Sequence, residues 1–264
     1  MSLTLDLTGQ VAVVTGGTRG VGAGIARAFL RAGAEVVVCA RRPPDAPVAD
    51  GPRTARFHPL DLREPAAVRD FFARVAADHG RLDCLVNNAG GTPYRLLGET
   101  GAERHARVLD LNLVAPMTAS LAAYEVMRGQ PRGGSVIMIG SVSGSRPSPG
   151  TAAYGAAKAG LEHLARSMAV EWAPAVRVNT LVLGMVRTEL SALHYGDEAG
   201  LAAVGATVPL GRLAEPAEVG DACVFLASDR AGYLSGASLL VHGGGERPAF
   251  LDAATVNHTE EPAR

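Results

Sequence analysis

Lysine is almost missing from this chain. Of its 25 basic residues only Lys158 is a lysine, and the others are arginines. Arginine presents a broad, permanently charged plane, whereas lysine carries a compact ammonium on a flexible stem, so a site needing a point charge in a tight space rejects the exchange. Lys158 stands four residues after Tyr154 in Tyr-Gly-Ala-Ala-Lys, a spacing that puts both side chains on one helix face. An ammonium beside a phenol favours phenolate. The pair therefore predicts a Tyr154 pKa lowered from its ordinary value of about 10, and a group that gives and takes a proton. The alternative is one chance survivor on a solvated helix, and the rest of the chain has to decide.

Other shortages narrow the class. The cysteines number three; Cys39, Cys84 and Cys223 sit in apolar contexts without metal-ligand spacing, which argues for reduced core thiols. No apolar run approaches 18 residues and the N-terminus shows no basic and then apolar leader, so the reading is a cytoplasmic protein with no membrane partner. A formal net charge of -1 leaves no electrostatic footprint for nucleic acid. With 264 residues, 47% of them hydrophobic and 19% charged, the chain suits one large globular domain.

What is present alternates. Short apolar runs at Val11–Thr15, Glu35–Ala40, Ala55–Leu60, Cys84–Asn87, Ser135–Gly140, Arg177–Leu183 and Ser238–Val241 read as strands. Longer amphipathic stretches near Val21–Arg31, Glu64–Asp78, Glu103–Arg128, Ala152–Trp172 and Pro216–Ala227 read as helices. That is the pattern of an α/β Rossmann-type doubly wound, seven-stranded parallel sheet with helices on both faces. Residues 1–247 form the domain; the Pro-rich stretch Arg42–Pro52 reads as a loop, and 248–264 as a polar tail that frays.

The first strand runs into Thr15-Gly16-Gly17-Thr18-Arg19-Gly20-Val21-Gly22 and then a helix. Gly16, Gly20 and Gly22 permit a tight turn whose amides approach a pyrophosphate at the helix N-terminus, which is a dinucleotide site. The second strand ends in Arg41-Arg42, where an NAD site usually carries an acid for the ribose hydroxyl. Arg41 with Arg19 suits a 2′-phosphate instead, giving NADP(H) in preference to NAD(H); solvated surface arginines are the alternative. Asp61 either accepts from an adenine amino group or caps the following helix. In Asn87-Asn88-Ala89-Gly90, Asn87 and Gly90 are assigned to the cofactor and Asn88 to the scaffold.

Thr-Gly-x-x-x-Gly-x-Gly at 15–22, Asn-Asn-Ala-Gly at 87–90, Asn112 in Leu-Asn-Leu, Ser141 in Gly-Ser-Val-Ser-Gly and Tyr154-x-x-x-Lys158 together resemble the short-chain dehydrogenase/reductase family in its short, single-domain form. The resemblance spans about residues 7–247. It implies a tetrad of Asn112, Ser141, Tyr154 and Lys158. Tyr154 acts as general acid or base and Ser141 donates to the substrate oxygen. Lys158 lowers the Tyr154 pKa and bonds the nicotinamide ribose, and Asn112 bends its helix to carry a proton relay. It also implies cofactor contacts at Thr18, Val21, Leu62, Ala89, Gly184, Val186 and Thr188. One departure is Leu183-Gly184, where the family commonly reads Pro-Gly; the missing proline predicts a looser entry to the substrate loop.

The variable segments Gly91–Leu97, Ser143–Gly150 and Met185–Val208 supply Tyr94, Ser143, Met185 and His194 as substrate contacts in a mostly apolar pocket. A hydrophobic ketone or secondary alcohol (steroid, polyketide or β-ketoacyl) is the predicted substrate class, with Arg95 and Arg187 as solvated charges. Arg132 matches one carrier-docking position of the family's acyl-carrier reductases, but Trp172-Ala173-Pro174-Ala175 lacks the other arginine. Non-redox lyase or isomerase chemistry and a non-catalytic NADP sensor are the competing readings. The apolar faces of the two long helices, together with the resemblance, predict a homotetramer.

Overall fold

The computed structural model describes residues 5–254. In chain order the elements are β1 (Val11–Thr15), α1 (Gly20–Arg31), β2 (Glu35–Ala40), β3 (Ala49–Asp50), β4 (Arg53–Thr54), β5 (Arg56–Pro59), α2 (Pro65–His79) and β6 (Cys84–Asn87). There follow α3 (Ala102–Leu109), α4 (Ala115–Met127), β7 (Gly134–Ser141), α5 (Ala152–Glu171), β8 (Val176–Leu183), α6 (Ala192–Tyr195), α7 (Glu198–Ala206), α8 (Pro216–Ala227), β9 (Ser238–Val241) and α9 (Ala249–Ala253).

Seven strands pair in parallel in the order β5-β2-β1-β6-β7-β8-β9. The chain reverses its direction of strand addition after β5, so a crevice opens between β1 and β6 at the strands' C-terminal ends, where ligands of such sheets bind. β1, β6 and most of β7 are buried along their length, because helices cover both faces and leave no wet side that would call for alternation. On one face Ile25 and Phe29 of α1 meet Val219 and Cys223 of α8 against the sheet. On the other, Phe72 of α2, Met127 of α4 and Leu161 of α5 fill the second layer.

Three boundaries differ from the sequence expectation. The stretch read as a loop holds a two-stranded ribbon, β3 with β4, closed by the two-residue turn Gly51-Pro52, a short hairpin signal that the surrounding prolines mask. The single helix over 103–128 is interrupted by a widened π-type turn at Asp110–Val114. The predicted tail begins with α9; the fraying predicted for it falls mostly on 255–264, outside the described residues.

Candidate active site

Thr15, the last residue of β1, knits the turn that follows. Its Oγ1 accepts the amides of Asn88 and Ala89, both at 3.0 Å, and Asn88 Nδ2 donates to the carbonyls of Thr15 and Gly16 at 2.9 and 3.2 Å. Asn88 is thus the scaffold that joins the ends of β1 and β6. A Cβ on Gly22 would lie 2.2 Å from the Gly16 carbonyl, so α1 packs on the turn only because that position has no side chain. Arg19 gives α1 no side-chain cap and the first turn holds no acid; its leading amides face the crevice as donors for an anion.

The crevice is a cleft of about 740 Å³. It brings together Gly16, Thr18, Arg19, Gly20, Val21, Gly22, Arg41, Asp61, Leu62, Ala89 and Gly90 at one end and Ser141, Tyr154 and Lys158 at the other, with Gly184, Val186, Thr188 and His194 along the rim. These residues come from the ends of six strands and from α1, α5 and α6, so the sheet itself sets their separation.

At the reaction end Ser141 closes β7 in the same cleft as Tyr154. Ser141 Oγ accepts the Ser143 amide at 3.2 Å. Tyr154 and Lys158 project from α5, the ammonium 5.4 Å from the centre of the phenol ring. Lys158 Nζ donates to the Ile139 carbonyl at 2.7 Å. Burial lowers the Lys158 pKa to about 8. Asn112 lies in the π-type turn, fully buried; its amide nitrogen donates to Val108 O at 2.9 Å and Gly91 O at 3.0 Å, and its oxygen accepts the Gly91 amide at 2.8 Å. That side chain pins the Gly90–Gly91 turn beside Lys158.

Several sequence expectations need correction. Burial raises the Tyr154 pKa above its ordinary value; the Ser141 hydroxyl opposes this and the nearby Tyr195 adds to it. The predicted lowering fails because desolvation of the buried phenol dominates. Asn87 is not on the cleft wall: its buried side chain donates to Ser120 at 2.8 Å on the far side of the strand, because successive residues of a strand face opposite ways. Tyr94, Ser143 and Met185 also lie outside the lining. Tyr94 packs over Gly150 with most of its surface exposed, Ser143 serves the turn after β7, and Met185 O accepts the Ala214 amide at 3.0 Å. Leu183, at the place of the family's proline, is the last residue of β8, registered between Ser141 and Val241.

Asp61 forms the turn that begins the approach to α2. Its Oδ1 accepts the Arg63 amide at 3.1 Å and Arg63 Nε at 2.9 Å, and Oδ2 takes Nη2 at 2.5 Å. The Arg63 hydrogen bonds bring its carboxyl down to about 2, with Arg41 adding a smaller pull. Arg63 itself, Arg104, Arg107 and Glu189 also line the cleft and went unread in the sequence. Arg104, Arg107, Val108 and Leu111 recur at helical spacing ahead of Asn112, which is the one signal that pointed to them. Arg187 and Arg95 stay outside the cleft, Arg187 paired with Glu198 at 3.0 Å. Arg132 is an exposed partner of Asp229 at 2.5 Å.

A family model described as enoyl-(acyl carrier protein) reductase matches residues 15–246, the span of the sheet and its helices. The chain belongs to the short-chain dehydrogenase/reductase family. It is 37% identical over 243 residues to an uncharacterized oxidoreductase of Mycobacterium tuberculosis, covering 90% of this chain and 92% of that one. It is 37% identical to the L-fucose dehydrogenase of Oryctolagus cuniculus, over 90% of this chain and 85% of the relative. It is 36% identical to the 3-oxoacyl-(acyl-carrier-protein) reductase FabG of Escherichia coli, over 91% and 98%. Among solved structures, the Thermoplasma acidophilum aldohexose dehydrogenase superposes with a TM-score of 0.85 at 29% identity, covering 92% of this chain and 96% of that one. This short-chain dehydrogenase/reductase is therefore an NAD(P)-dependent oxidoreductase in class. The glycine turn, whose own residues supply no side-chain cap and which has no room for a Cβ at Gly22, fits the family's nicotinamide dinucleotide.

Proposed function

We propose that this dehydrogenase/reductase uses NADP(H) and moves a hydride between the nicotinamide and a hydrophobic ketone or secondary alcohol. The observation that carries the reading is one cleft with Ser141, Tyr154 and Lys158 at one end and the glycine turn with Arg19 and Arg41 at the other. Arg19 and Arg41 bind the 2′-phosphate, Asp61 and Leu62 border the adenine, and Gly184, Val186 and Thr188 hold the carboxamide end. The nicotinamide, when bound, supplies or accepts the hydride. Tyr154, kept protonated by burial, holds its proton at the carbonyl oxygen in reduction, and Ser141 donates a second hydrogen bond to that oxygen as charge develops on it. Lys158 keeps a positive charge behind the phenol, and the main chain of Asn112 serves as the next station for the proton.

Ile139, Leu183, Val186 and Leu190, which line the same cleft as Tyr154, favour an apolar substrate over the sugars named for two of the similar proteins. The reading includes a catalytic unit over 1–247, a homotetramer and a cytoplasmic location, the last supported by three buried free thiols. The test is binding of NADPH and NADH, followed by turnover of hydrophobic ketones, L-fucose and a β-ketoacyl thioester. No binding of either nucleotide sinks the reading; faster turnover of the sugar overturns the substrate class alone.

A further inference from the structure

Glu189, in the turn before α6, reaches across 169 positions of sequence to accept the Gly20 amide on its Oε1 at 2.9 Å. Gly20 opens α1, the helix without a cap or acid of its own, so this carboxylate is the anion that its N-terminus holds. A dinucleotide pyrophosphate seeks those same donors. One N–H does not serve two full hydrogen bonds, and two anions side by side repel. We propose that Glu189 competes with the cofactor's pyrophosphate for the Gly20 amide and thereby ties the position of the 185–195 segment to dinucleotide binding. The inference rests on the dinucleotide reading above.

Two further observations bear on it. The segment that carries Glu189 also places Thr188 and His194 on the cleft wall, and Thr188 packs on Gly20, where an added Cβ would meet its Cγ2 at 3.5 Å. The turn that holds the carboxylate on Gly20 is therefore the one that carries these cleft residues. Behind the segment lies a second cavity of about 450 Å³, bordered by Arg187, Thr188, Glu189 and Glu198. Arg187 meets Glu198 through Nη2, at 3.0 Å to each oxygen, so a cation already paired with one carboxylate borders the same cavity as Glu189. A carboxylate released from Gly20 has this cavity to turn towards, with the cation two residues back in the chain.

The test uses the full chain and the variants Glu189→Ala and Glu189→Gln. Amide exchange at Gly20, measured without nucleotide, is expected to quicken in Glu189→Ala as its acceptor disappears. NADPH affinity, measured by calorimetry, is expected to tighten about three- to tenfold in Glu189→Ala and less in Glu189→Gln, the size of a helix-end charge effect. Adenosine 2′-monophosphate, which has no pyrophosphate, should bind all three proteins within twofold. Unchanged or weaker NADPH binding by both variants overturns the inference and leaves the oxidoreductase reading standing. A wild-type protein that binds neither NADPH nor NADH removes both.

Discussion

The ammonium of Lys158 is held by the Ile139 carbonyl of the neighbouring strand, 2.7 Å away, with 4% of the residue exposed. One neutral acceptor does not replace the hydration of a buried charge, and the pKa falls to about 8 as a result. Tyr154 beside it moves the other way and stays protonated. The pair is set up to deliver a proton from a neutral phenol that stands in front of a cation.

Replacing Tyr154 by Phe is expected to keep the fold and NADPH affinity while lowering kcat for ketone reduction by at least about 10²-fold, the low end of general acid catalysis. The ring still fills its place and only the proton donor is gone. Steady-state kinetics with parallel thermal unfolding checks it; activity within tenfold of wild type removes Tyr154 from the acid's role.

Lys158→Met is expected to stabilise the protein as it inactivates it. Lysine's pKa is lowered from 10.5 to about 8 on folding, so between those values the unfolded chain binds more protons and stability rises with pH. Below about 8 the whole penalty stands, of order 3 kcal/mol for a shift of that size. Removing the charge is expected to recover part of it, less the Ile139 carbonyl left without its donor, and to raise Tm by several degrees at pH 7. A lower Tm in Lys158→Met contradicts the strain assigned to this charge. Lys158→Arg, which keeps the charge but not its compact shape, should still cost at least about a hundredfold in kcat.

The sheet was legible in the sequence because buried parallel strands leave continuous apolar runs, and the meeting of Ser141, Tyr154 and Lys158 in one cleft because a single lysine four residues after a tyrosine marks its own place. The orientation of Asn87 was not, since adjacent strand residues differ only in which face they meet. Nor was Glu189, whose partner lies 169 residues away and whose exposed turn has no periodicity. The lowered phenol pKa failed for a reason absent from any spacing, namely that the fold buries the phenol and desolvation raises its pKa.

Arg41→Asp is expected to reverse the cofactor preference, measured as the ratio of kcat/KM with NADPH to that with NADH. The carboxylate would accept from a ribose hydroxyl and repel a 2′-phosphate. Arg41 lines the cleft and pulls on the Asp61 carboxyl, which places its charge at the right end. A ratio that barely moves transfers the role to Arg19 or Arg63.

Gly90→Ala is expected to damage the reaction end without touching a catalytic side chain. The added Cβ would sit 2.6 Å from Asn112 Oδ1 and 3.6 Å from Lys158 Nζ. Asn112 does not yield easily, because three hydrogen bonds hold its amide. The clash should cost about 1–3 kcal/mol of stability and lower kcat more than it raises KM for the ketone; a variant with wild-type kcat and Tm would mean that the 90–91 turn is free to shift.

The tetramer proposal narrows once burial is known. On α5, one of the two long helices whose apolar faces suggested assembly, Leu161, Ala165 and Met168 belong to the core beneath the sheet, and Ala157 is buried as well. The exposed apolar side chains near these helices are Leu109, Val114, Leu121 and Val170. A second group, Tyr233, Leu239 and Leu240, lies on and beside β9, the outermost strand of the sheet. An open edge with leucines on it is a surface that proteins usually cover. Two separate self-complementary patches give closed dihedral symmetry, hence four chains. Light scattering is expected to read near four times 27.1 kDa. Leu240→Glu, placed at the strand edge, should reduce the tetramer to a dimer through α4 and α5, while Leu121→Glu should leave a dimer through β9. A wild-type monomer at micromolar concentration would defeat the proposal, and a dimer unchanged by Leu240→Glu would show that the β9 edge is not an interface.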